Sequence, residues 1–205
     1  MAIRMLKRAF DFTLALVGLI ASAPLWALFA AAIKWEDYGP VFFRQDRVGL
    51  NGRTFMALKF RSMRPDAEAG VGAVQAVADD PRVTNIGRMM RATAMDELPQ
   101  LWNILRGDMS FVGPRALRPG EIEAGRDGLL ERLEDVPGFA ARVMVRPGLT
   151  GVAQVYAPRD VPRRHKFRYD RIYVCRRSFW LDVRLILVSF WISVLGTWEA
   201  RGRKF

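Results

Sequence analysis

Hydrophobic and polar positions divide the chain into two apolar ends and a mixed middle. Residues 12–33 form an uncharged run of 22 residues, which is long enough to cross a bilayer as a helix at about 1.5 Å per residue. Residues 185–198 are also apolar, but a run of 14 residues is short for a span and typical of a buried or interfacial helix. The pattern therefore predicts membrane contact at the N-terminal end. At the C-terminal end it predicts a helix that lies on lipid, packs on the core, or does both.

Three interpretations fit the N-terminal run. A signal peptide would have basic residues first and a cleavage site at residues 21–23, although Pro24 and the continuing apolar run argue against cleavage. A spanning helix would keep its basic N-terminus in the cytoplasm. A re-entrant helix would break near residues 22–24, because Pro24 removes a backbone hydrogen bond, and would leave by the face it entered. Lys7, Arg8 and Lys34 would then lie at one interface.

The middle of the chain predicts a mixed, helix-rich α/β fold. Residues 40–48 and 54–60 are predicted as strands joined by a hairpin-type turn at residues 50–52. Residues 66–78 are predicted as a loop or short helix. Helices are predicted at residues 84–91, 94–106, 120–134 and 161–176, the second capped by Thr93 and ended by Gly107, and the last basic and amphipathic.

Charge and composition narrow the partners. The net charge is +11, from 32 basic and 21 acidic residues, and 51% of the residues are hydrophobic, which favours anionic lipid or nucleic acid as a partner. Tryptophan and phenylalanine cluster in the apolar ends instead of alternating with basic residues, so we expect lipid and no nucleic acid. A lone cysteine, Cys175, excludes an internal disulfide.

Two adjacent carboxylates, Asp96 and Glu97, are the most unusual acidic residues of the chain. Acids at the start of a helix are favourable to the helix dipole by about 0.3–1 kcal/mol each, and this explanation fits most of them. The functional explanation is a nucleophile beside an acid/base or metal ligand. The pair alone does not decide between the two.

The surrounding motifs resemble one family. They occur in a fixed order from about residue 7 to about residue 187, and together they are far more specific than any one alone. The bacterial sugar transferases, also called monotopic phosphoglycosyl transferases, are similar in five segments: residues 39–49, 59–63, 86–115, 146–155 and 169–182.

This resemblance implies a reaction. Such enzymes move a sugar-1-phosphate from a UDP-sugar onto a polyprenyl phosphate, such as undecaprenyl phosphate, and release UMP. By resemblance, Asp96 is the nucleophile that holds the sugar phosphate covalently, Glu97 assists it, and both carboxylates serve a required Mg²⁺. The expected product initiates assembly of an exopolysaccharide or another glycoconjugate.

The resemblance also implies an organisation and a binding site. Residues 1–35 would be a re-entrant membrane helix at the cytoplasmic face of a bacterial inner membrane. Residues 36–205 would be a compact catalytic domain with interfacial amphipathic helices that contact phospholipid. The residues expected to bind substrate or phosphate are Lys59, Arg61, Arg88, Arg115, Arg146, Thr150, Gln154 and Asp170.

Two alternatives accompany these expectations. Asp170 can instead form a structural salt bridge, and the whole chain can be a membrane-tethered scaffold that binds lipid or nucleic acid without catalysis.

One departure from the family pattern is also visible. The family has Gly-Pro-Arg-Pro where this chain has Ala116 after Arg115, so the stiffness that a second proline would give this turn is lost.

Overall fold

The structure is a computed structural model that describes residues 2–65, 67, 80–124, 129–158 and 161–198. Most of the segment predicted as a loop or short helix at residues 66–78 lies outside these residues. Seven α-helices are described: α1 (Ala2–Asp37), α2 (Asn85–Ala92), α3 (Gln100–Arg106), α4 (Phe139–Arg142), α5 (Val152–Tyr156), α6 (Arg163–Arg176) and α7 (Phe179–Leu195). Six strands are described: β1 (Phe42–Val48), β2 (Thr54–Phe60), β3 (Ser110–Val112), β4 (Ile122–Ala124), β5 (Leu130–Arg132) and β6 (Gly148–Thr150). The mixed α/β prediction is confirmed.

Helix α1 is continuous over 36 residues, so the break predicted at residues 22–24 is not present. Pro24 removes one backbone hydrogen bond, but packing on both sides of it keeps the two halves of the helix in place. Before Pro24, Ala15 packs against α3, and after it Phe29 and Ile33 pack against Phe60 and its neighbours. One face of α1 therefore lies on the rest of the molecule along its whole length.

Strands β1 and β2 form the predicted antiparallel hairpin, with Phe42 opposite Phe60 and Val48 opposite Thr54. The turn between them is a single 3₁₀ turn at Leu50–Gly52. Asn51 and Gly52 adopt positive φ values of 56° and 76°, which asparagine and glycine tolerate better than other residues. This part of the fold follows directly from the sequence pattern.

The helix predicted at residues 94–106 is shorter than expected. Thr93 ends α2 instead of starting a new helix, and its hydroxyl donates back to the Met89 carbonyl at 3.0 Å. Ala94 then takes a left-handed conformation, a 3₁₀ turn follows at Met95–Glu97, and α3 begins only at Gln100. The prediction that Thr93 caps a helix containing the carboxylate pair was wrong, because Thr93 makes its hydrogen bonds to the preceding helix.

The prediction of a helix at residues 120–134 was also wrong. The structure has a short antiparallel hairpin, β4–β5, with Ile122 opposite Arg132. Glu123 on this hairpin accepts hydrogen bonds from the first backbone N–H groups of α6, at 2.8 Å from Arg163 and 3.1 Å from Arg164. Glu123 thus caps a neighbouring helix instead of lining the face of a helix of its own.

Strands β3 and β6 are parallel neighbours, which brings two distant motifs together. A Cβ atom on Gly148 would lie 2.0 Å from the Gly113 backbone nitrogen, so only glycine permits this approach. Helices α6 and α7 pack against the pair, and Thr150 of β6 contacts the Ser189 hydroxyl of α7. Helix α7 begins at Phe179, six residues earlier than the predicted apolar run, with Ser178 as its cap.

Candidate active site

The carboxylate pair lies on the 3₁₀ turn between α2 and α3. Ala94, at φ 57° and ψ 19°, reverses the chain after α2 at a local cost of about 1–2 kcal/mol, because a side chain crowds the left-handed region. Asp96 is buried, with 8% of its surface exposed, and Glu97 is nearly buried. The sequence therefore places two carboxylates in the interior on a strained turn, which is costly unless cations are nearby.

Two cations bind Glu97. Lys59 at the end of β2 donates to Glu97 Oε1, and Arg115 donates to the same oxygen at 2.9 Å. The Lys59 and Glu97 side chains are 18% and 12% exposed, whereas that of Arg115 is 48% exposed. Solvent screens the Arg115 contact more than the Lys59 contact. The structure thus brings together three predicted site residues from two separate motifs.

Asp96 and Glu97 have opposite electrostatic environments. Burial raises the pKa of Asp96 to about 6, although the charge of Lys59 opposes the shift. Burial would also raise the pKa of Glu97, but the charges of Arg115 and Lys59 outweigh it and hold this pKa well below its usual range. None of the hydrogen bonds and ion pairs described for the chain uses the Asp96 carboxylate. Asp96 is therefore a buried carboxylate available for chemistry, mostly ionised at neutral pH.

We call Asp96 and Glu97 the dyad, and the 3₁₀ turn that bears them the dyad turn. Asn103 holds the dyad turn against the strand that bears Lys59. It is buried in α3, accepts from the Leu58 backbone N–H at 3.0 Å, and donates to the Met56 carbonyl at 2.7 Å. A buried amide that pairs with both backbone groups of a strand acts like an additional strand neighbour. The register between Lys59 and Glu97 is fixed in this way.

The turn that bears Arg115, residues 114–117, is fixed by four hydrogen bonds to successive carbonyls, and we call it the Arg115 turn. The Pro114 carbonyl accepts from the Gly148 N–H at 2.9 Å and the Leu117 carbonyl from the Val48 N–H at 2.8 Å. Between them, the Arg115 carbonyl accepts from Arg142 Nη2 at 2.6 Å. The Ala116 carbonyl accepts from Arg47 Nη1 at 3.0 Å.

Three of the predicted arginines lie in other surroundings. All three guanidinium nitrogens of Arg61 have partners, namely Asp37 and the carbonyls of Pro40 and Met63, so Arg61 joins the end of α1 to β2. Arg146 Nε donates to the Gly107 carbonyl at 2.7 Å, which closes the end of α3. Arg88 is exposed on α2. Their roles in phosphate binding stay predictions, and for Arg61 and Arg146 a structural role is visible.

Three other predicted residues lie behind the Arg115 turn. Thr150 is buried between β6 and α7, and Gln154 Nε2 lies 3.4 Å from the Gly113 carbonyl. Asp170 is buried against Arg142, whose Nε donates to it at 3.1 Å, so the alternative of a structural salt bridge applies. Burial raises the pKa of Asp170, and the Arg142 charge opposes that shift.

Sequence reasoning missed Asn103, Arg47 and Arg142 as residues that shape the site. Arg47 and Asn103 lie within matched motifs, but their side chains bind backbone groups instead of the dyad, and nothing in the local pattern shows this. Arg142 lies outside the matched motifs. The single available signal for Asn103 was an amide at a position of α3 that the helical period places towards the core. The charge of Arg91 on α2 also lowers the pKa of Asp96.

The fold and the site together define a class of protein. A buried carboxylate pair bound by lysine and arginine lies beside a helix, Met5–Asp37, that is long and apolar enough to cross a membrane. Both features are expected of an enzyme that handles a charged substrate at a membrane. The chain belongs to the bacterial sugar transferase family, whose model matches residues 2–196.

Curated relatives cover most of this chain. It is 45% identical over 190 residues to an undecaprenyl-phosphate glucose phosphotransferase of Komagataeibacter xylinus, covering 89% of this chain and 35% of the relative. It is 42% identical to a UDP-glucose:undecaprenyl-phosphate glucose-1-phosphate transferase of Caulobacter vibrioides, covering 91% of this chain and 68% of that protein. It is 43% identical to the exopolysaccharide production protein PSS of Rhizobium leguminosarum, covering 88% and 91%. The chain thus spans about a third of the first relative and most of the third.

Proposed function

We propose that this protein transfers a sugar-1-phosphate from a UDP-sugar to a polyprenyl phosphate and releases UMP. The observation that supports this most directly is the dyad geometry, in which Glu97 is bound by Lys59 and Arg115 while Asp96 is buried beside it and has no ion pair or hydrogen bond among those described for the chain. The names of the relatives include undecaprenyl phosphate and UDP-glucose, so undecaprenyl phosphate is the proposed acceptor and UDP-glucose the first donor to test.

The proposed chemistry has two displacements at one phosphorus atom. An oxygen of the Asp96 carboxylate attacks the sugar-bearing phosphorus of the UDP-sugar, the bond from that phosphorus to the bridging oxygen breaks, and UMP leaves with that oxygen. An oxygen of the lipid phosphate then attacks the same phosphorus, which releases the Asp96 carboxylate and forms the polyprenyl diphosphate sugar. An ionised, poorly hydrated carboxylate is suited to this nucleophilic role.

Lysine and arginine at Glu97 prepare the site for an anionic substrate. A diphosphate brings negative charge to a place that already holds two carboxylates, and Lys59 and Arg115 offset part of it. Arg115 is half-exposed, so its guanidinium can bind a phosphate oxygen as well as Glu97, through the fork geometry that suits phosphate. Arg91 adds positive charge close to Asp96.

The donor set at the dyad fits Mg²⁺. Magnesium prefers hard oxygen ligands and is usually held by one or two carboxylates together with water and substrate phosphates, and Asp96 and Glu97 provide two adjacent carboxylates. No group of three or more His, Cys, Asp or Glu side chains that could hold a metal ion occurs among the described residues. When bound, the ion would neutralise charge on the diphosphate.

The same proposal places the body and both ends of α1 at the cytoplasmic face of the inner membrane. Arg8, near the start of α1, donates to the carbonyls of Ile104 and Leu105 at 2.6 Å each, and Glu36, near its end, accepts from the Asn85 N–H at 2.7 Å. A helix of 36 residues that spanned a bilayer would hold its two ends about 50 Å apart on opposite sides. Contacts of both ends with one body favour an α1 that stays at one face of the bilayer over an α1 that spans it.

Release of UMP from a panel of UDP-sugars tests the proposed reaction. Detergent-purified protein, magnesium and undecaprenyl phosphate should release UMP from one donor, with UDP-glucose and UDP-galactose included in the panel. Asp96→Asn should abolish release while the protein keeps its melting temperature. Release by Asp96→Asn at the wild-type rate would contradict the nucleophile assignment, and release from no donor by folded protein would favour a non-catalytic scaffold.

A further inference from the structure

The two central hydrogen bonds of the Arg115 turn come from side chains. The bonds to the carbonyls of Pro114 and Leu117 come from backbone N–H groups, which most residues would supply. The bonds to the Arg115 and Ala116 carbonyls come from the guanidinium groups of Arg142 and Arg47. A substitution at Arg47 or Arg142 can therefore remove a hydrogen bond to the turn, whereas the two backbone bonds would remain.

Arg142 has a fixed orientation. It is buried, its Nε donates to Asp170 at 3.1 Å, and its guanidinium carbon lies 4.7 Å from the centre of the Phe167 ring. Those contacts direct Nη2 to the Arg115 carbonyl. A planar guanidinium can make both bonds at once, whereas a lysine ammonium at the same position has one nitrogen for the two acceptors.

Arg47 supports the next residue of the turn from the other side of the site. It is on β1, its Nη2 donates to Gln45 Oε1, and its Nη1 donates to the Ala116 carbonyl at 3.0 Å. Because Ala116 stands where a proline would restrict the preceding residue, the covalent chain leaves the backbone of Arg115 free to rotate. Hydrogen bonds to two successive carbonyls restrict that rotation instead.

We infer that Arg47 and Arg142 are positioning residues that hold the Arg115 backbone so that its side chain is directed at Glu97. The inference rests on the proposed function, because Arg115 matters for turnover only if the dyad is catalytic. Neither arginine needs to touch the substrate in this account. Their effect passes through Arg115 alone, and this distinguishes them from residues that bind phosphate and from residues that only stabilise the fold.

A coupling experiment tests the inference. Arg47→Gln, Arg142→Lys and Arg142→Gln are each made in the wild-type chain and together with Arg115→Ala, and kcat/KM for UMP release is measured. With Arg115 present, each change should lower kcat/KM about tenfold to hundredfold, since small displacements of a positioned group have effects of that size. With Arg115→Ala, each should lower it by less than about threefold, because the group that they position is gone.

Arg8 offers a matched control. Its guanidinium also donates to two backbone carbonyls, but these belong to the end of α3. Arg8→Gln should change kcat/KM by the same factor with and without Arg115→Ala. If the Arg47 and Arg142 variants also changed kcat/KM by the same factor with Arg115 and with Arg115→Ala, the inference would be overturned. Arg47 and Arg142 would then have a purely structural role.

Hydrogen–deuterium exchange gives a second readout that needs no turnover. In Arg47→Gln and Arg142→Lys, a peptide covering residues 113–118 should exchange faster, while peptides from β1 and β2 exchange at the wild-type rate. Unchanged exchange at residues 113–118 would overturn the inference. If the wild type releases UMP from no donor, the proposed function fails and this exchange result alone decides the inference. Because Arg142→Gln leaves Asp170 buried without its cation, Arg47→Gln and Arg142→Lys keep the test valid if that variant does not fold.

Discussion

Asp96 and Glu97 are neighbours in sequence with opposite electrostatic environments. Both are withdrawn from water, but two cations bind Glu97 directly and hold it ionised, whereas the pKa of Asp96 is raised to about 6, mainly by burial. Environments that separate the pKa values of paired carboxyl groups assign them different roles. Glu97 is the fixed negative charge that orients Lys59 and Arg115, and Asp96 is the proposed nucleophile.

Replacing Glu97 should disable the site without removing the nucleophile. In Glu97→Gln, Lys59 and Arg115 lose the charge that orients them, so UMP release should fall by about hundredfold or more. Glu36→Gln is the control, because Glu36 caps α2 by accepting from the Asn85 N–H and lies outside the dyad. The Glu36→Gln variant should have a lower melting temperature, while its folded protein keeps the wild-type rate of UMP release. Wild-type activity in Glu97→Gln would remove Glu97 from the mechanism.

Ala116→Pro should be tolerated. None of the hydrogen bonds described for the chain uses the Ala116 N–H, and the Ala116 carbonyl can still accept from Arg47. A proline at a compatible position stabilises a protein by about 0.4–1 kcal/mol through the unfolded state. We expect an equal or higher melting temperature and UMP release within about twofold of the wild type. A tenfold loss of release with a lower melting temperature would show that the turn cannot accept proline.

Helix α1 combines a packing face and an apolar outer face. Contacts with the body recur at spacings of three and four residues, with one step of eight, along one face of the helix. The contacting residues are Arg8, Asp11, Ala15, Gly18, Trp26, Phe29, Ile33 and Glu36. On the outer face Phe12, Leu16, Val17, Ile20 and Leu28 are exposed.

Two substitutions separate these faces. Ala15 is fully buried between α1 and α3, next to Leu101 and Ile104, so Ala15→Phe should destabilise the protein by about 1–3 kcal/mol through overpacking. Val17 is 56% exposed, so Val17→Phe should leave stability within about 0.5 kcal/mol of the wild type. Thermal unfolding in detergent measures both. Equal losses in the two variants would mean that α1 does not pack on α3 as described.

The sequence pattern predicted elements well where local geometry decides them. The β1–β2 hairpin follows from two strand-like segments and the turn at Asn51 and Gly52. Helix α6 follows from its basic amphipathic pattern, and α7 from the apolar run at residues 185–198, although the helix begins six residues earlier. The pattern failed where long-range partners decide. Glu123 lies on the β4–β5 hairpin, where its carboxylate caps the distant helix α6. Ala94 is left-handed at the turn between α2 and α3.

For the candidate site, the sequence predicted the main residues but not the contacts that position them. The motifs indicated Lys59, Arg115 and the dyad, and these residues meet in the structure. They did not indicate that Asn103 sets the register of the Lys59 strand, or that Arg142 binds the Arg115 carbonyl. Such contacts depend on which backbone groups lie opposite each other after folding, and residue spacing carries no information about this.

At the scale of the whole molecule, apolar side chains remain exposed on two helices. The outer face of α1 and the Leu187, Phe190, Trp191 and Val194 side chains of α7 are exposed, whereas Leu185 and Ile192 of α7 are buried in the core. Exposed apolar surface of this extent marks a membrane or a partner. Helix α7 therefore both packs on the core and presents an apolar face, the combination that the sequence left open.

Cysteine labelling tests the proposed membrane topology. In a Cys175→Ser background, Met5→Cys and Tyr38→Cys place single thiols near the two ends of α1, at positions that are both strongly exposed. An α1 with both ends at the cytoplasmic face predicts that a membrane-impermeant maleimide modifies both thiols in inside-out vesicles and neither in intact spheroplasts. Modification of one end from each side would show that α1 spans the bilayer.

The most direct test of the central claim omits the lipid acceptor. Wild-type protein mixed with magnesium and the accepted UDP-sugar should release a burst of UMP of up to about one equivalent per site, since covalent catalysis accumulates an intermediate. Intact-mass spectrometry should show one added sugar phosphate, and Asp96→Asn should show neither. The account would be contradicted if the protein turned over with the lipid acceptor present but, without the acceptor, released no UMP and gained no mass. The sugar phosphate would then pass directly from the UDP-sugar to the lipid.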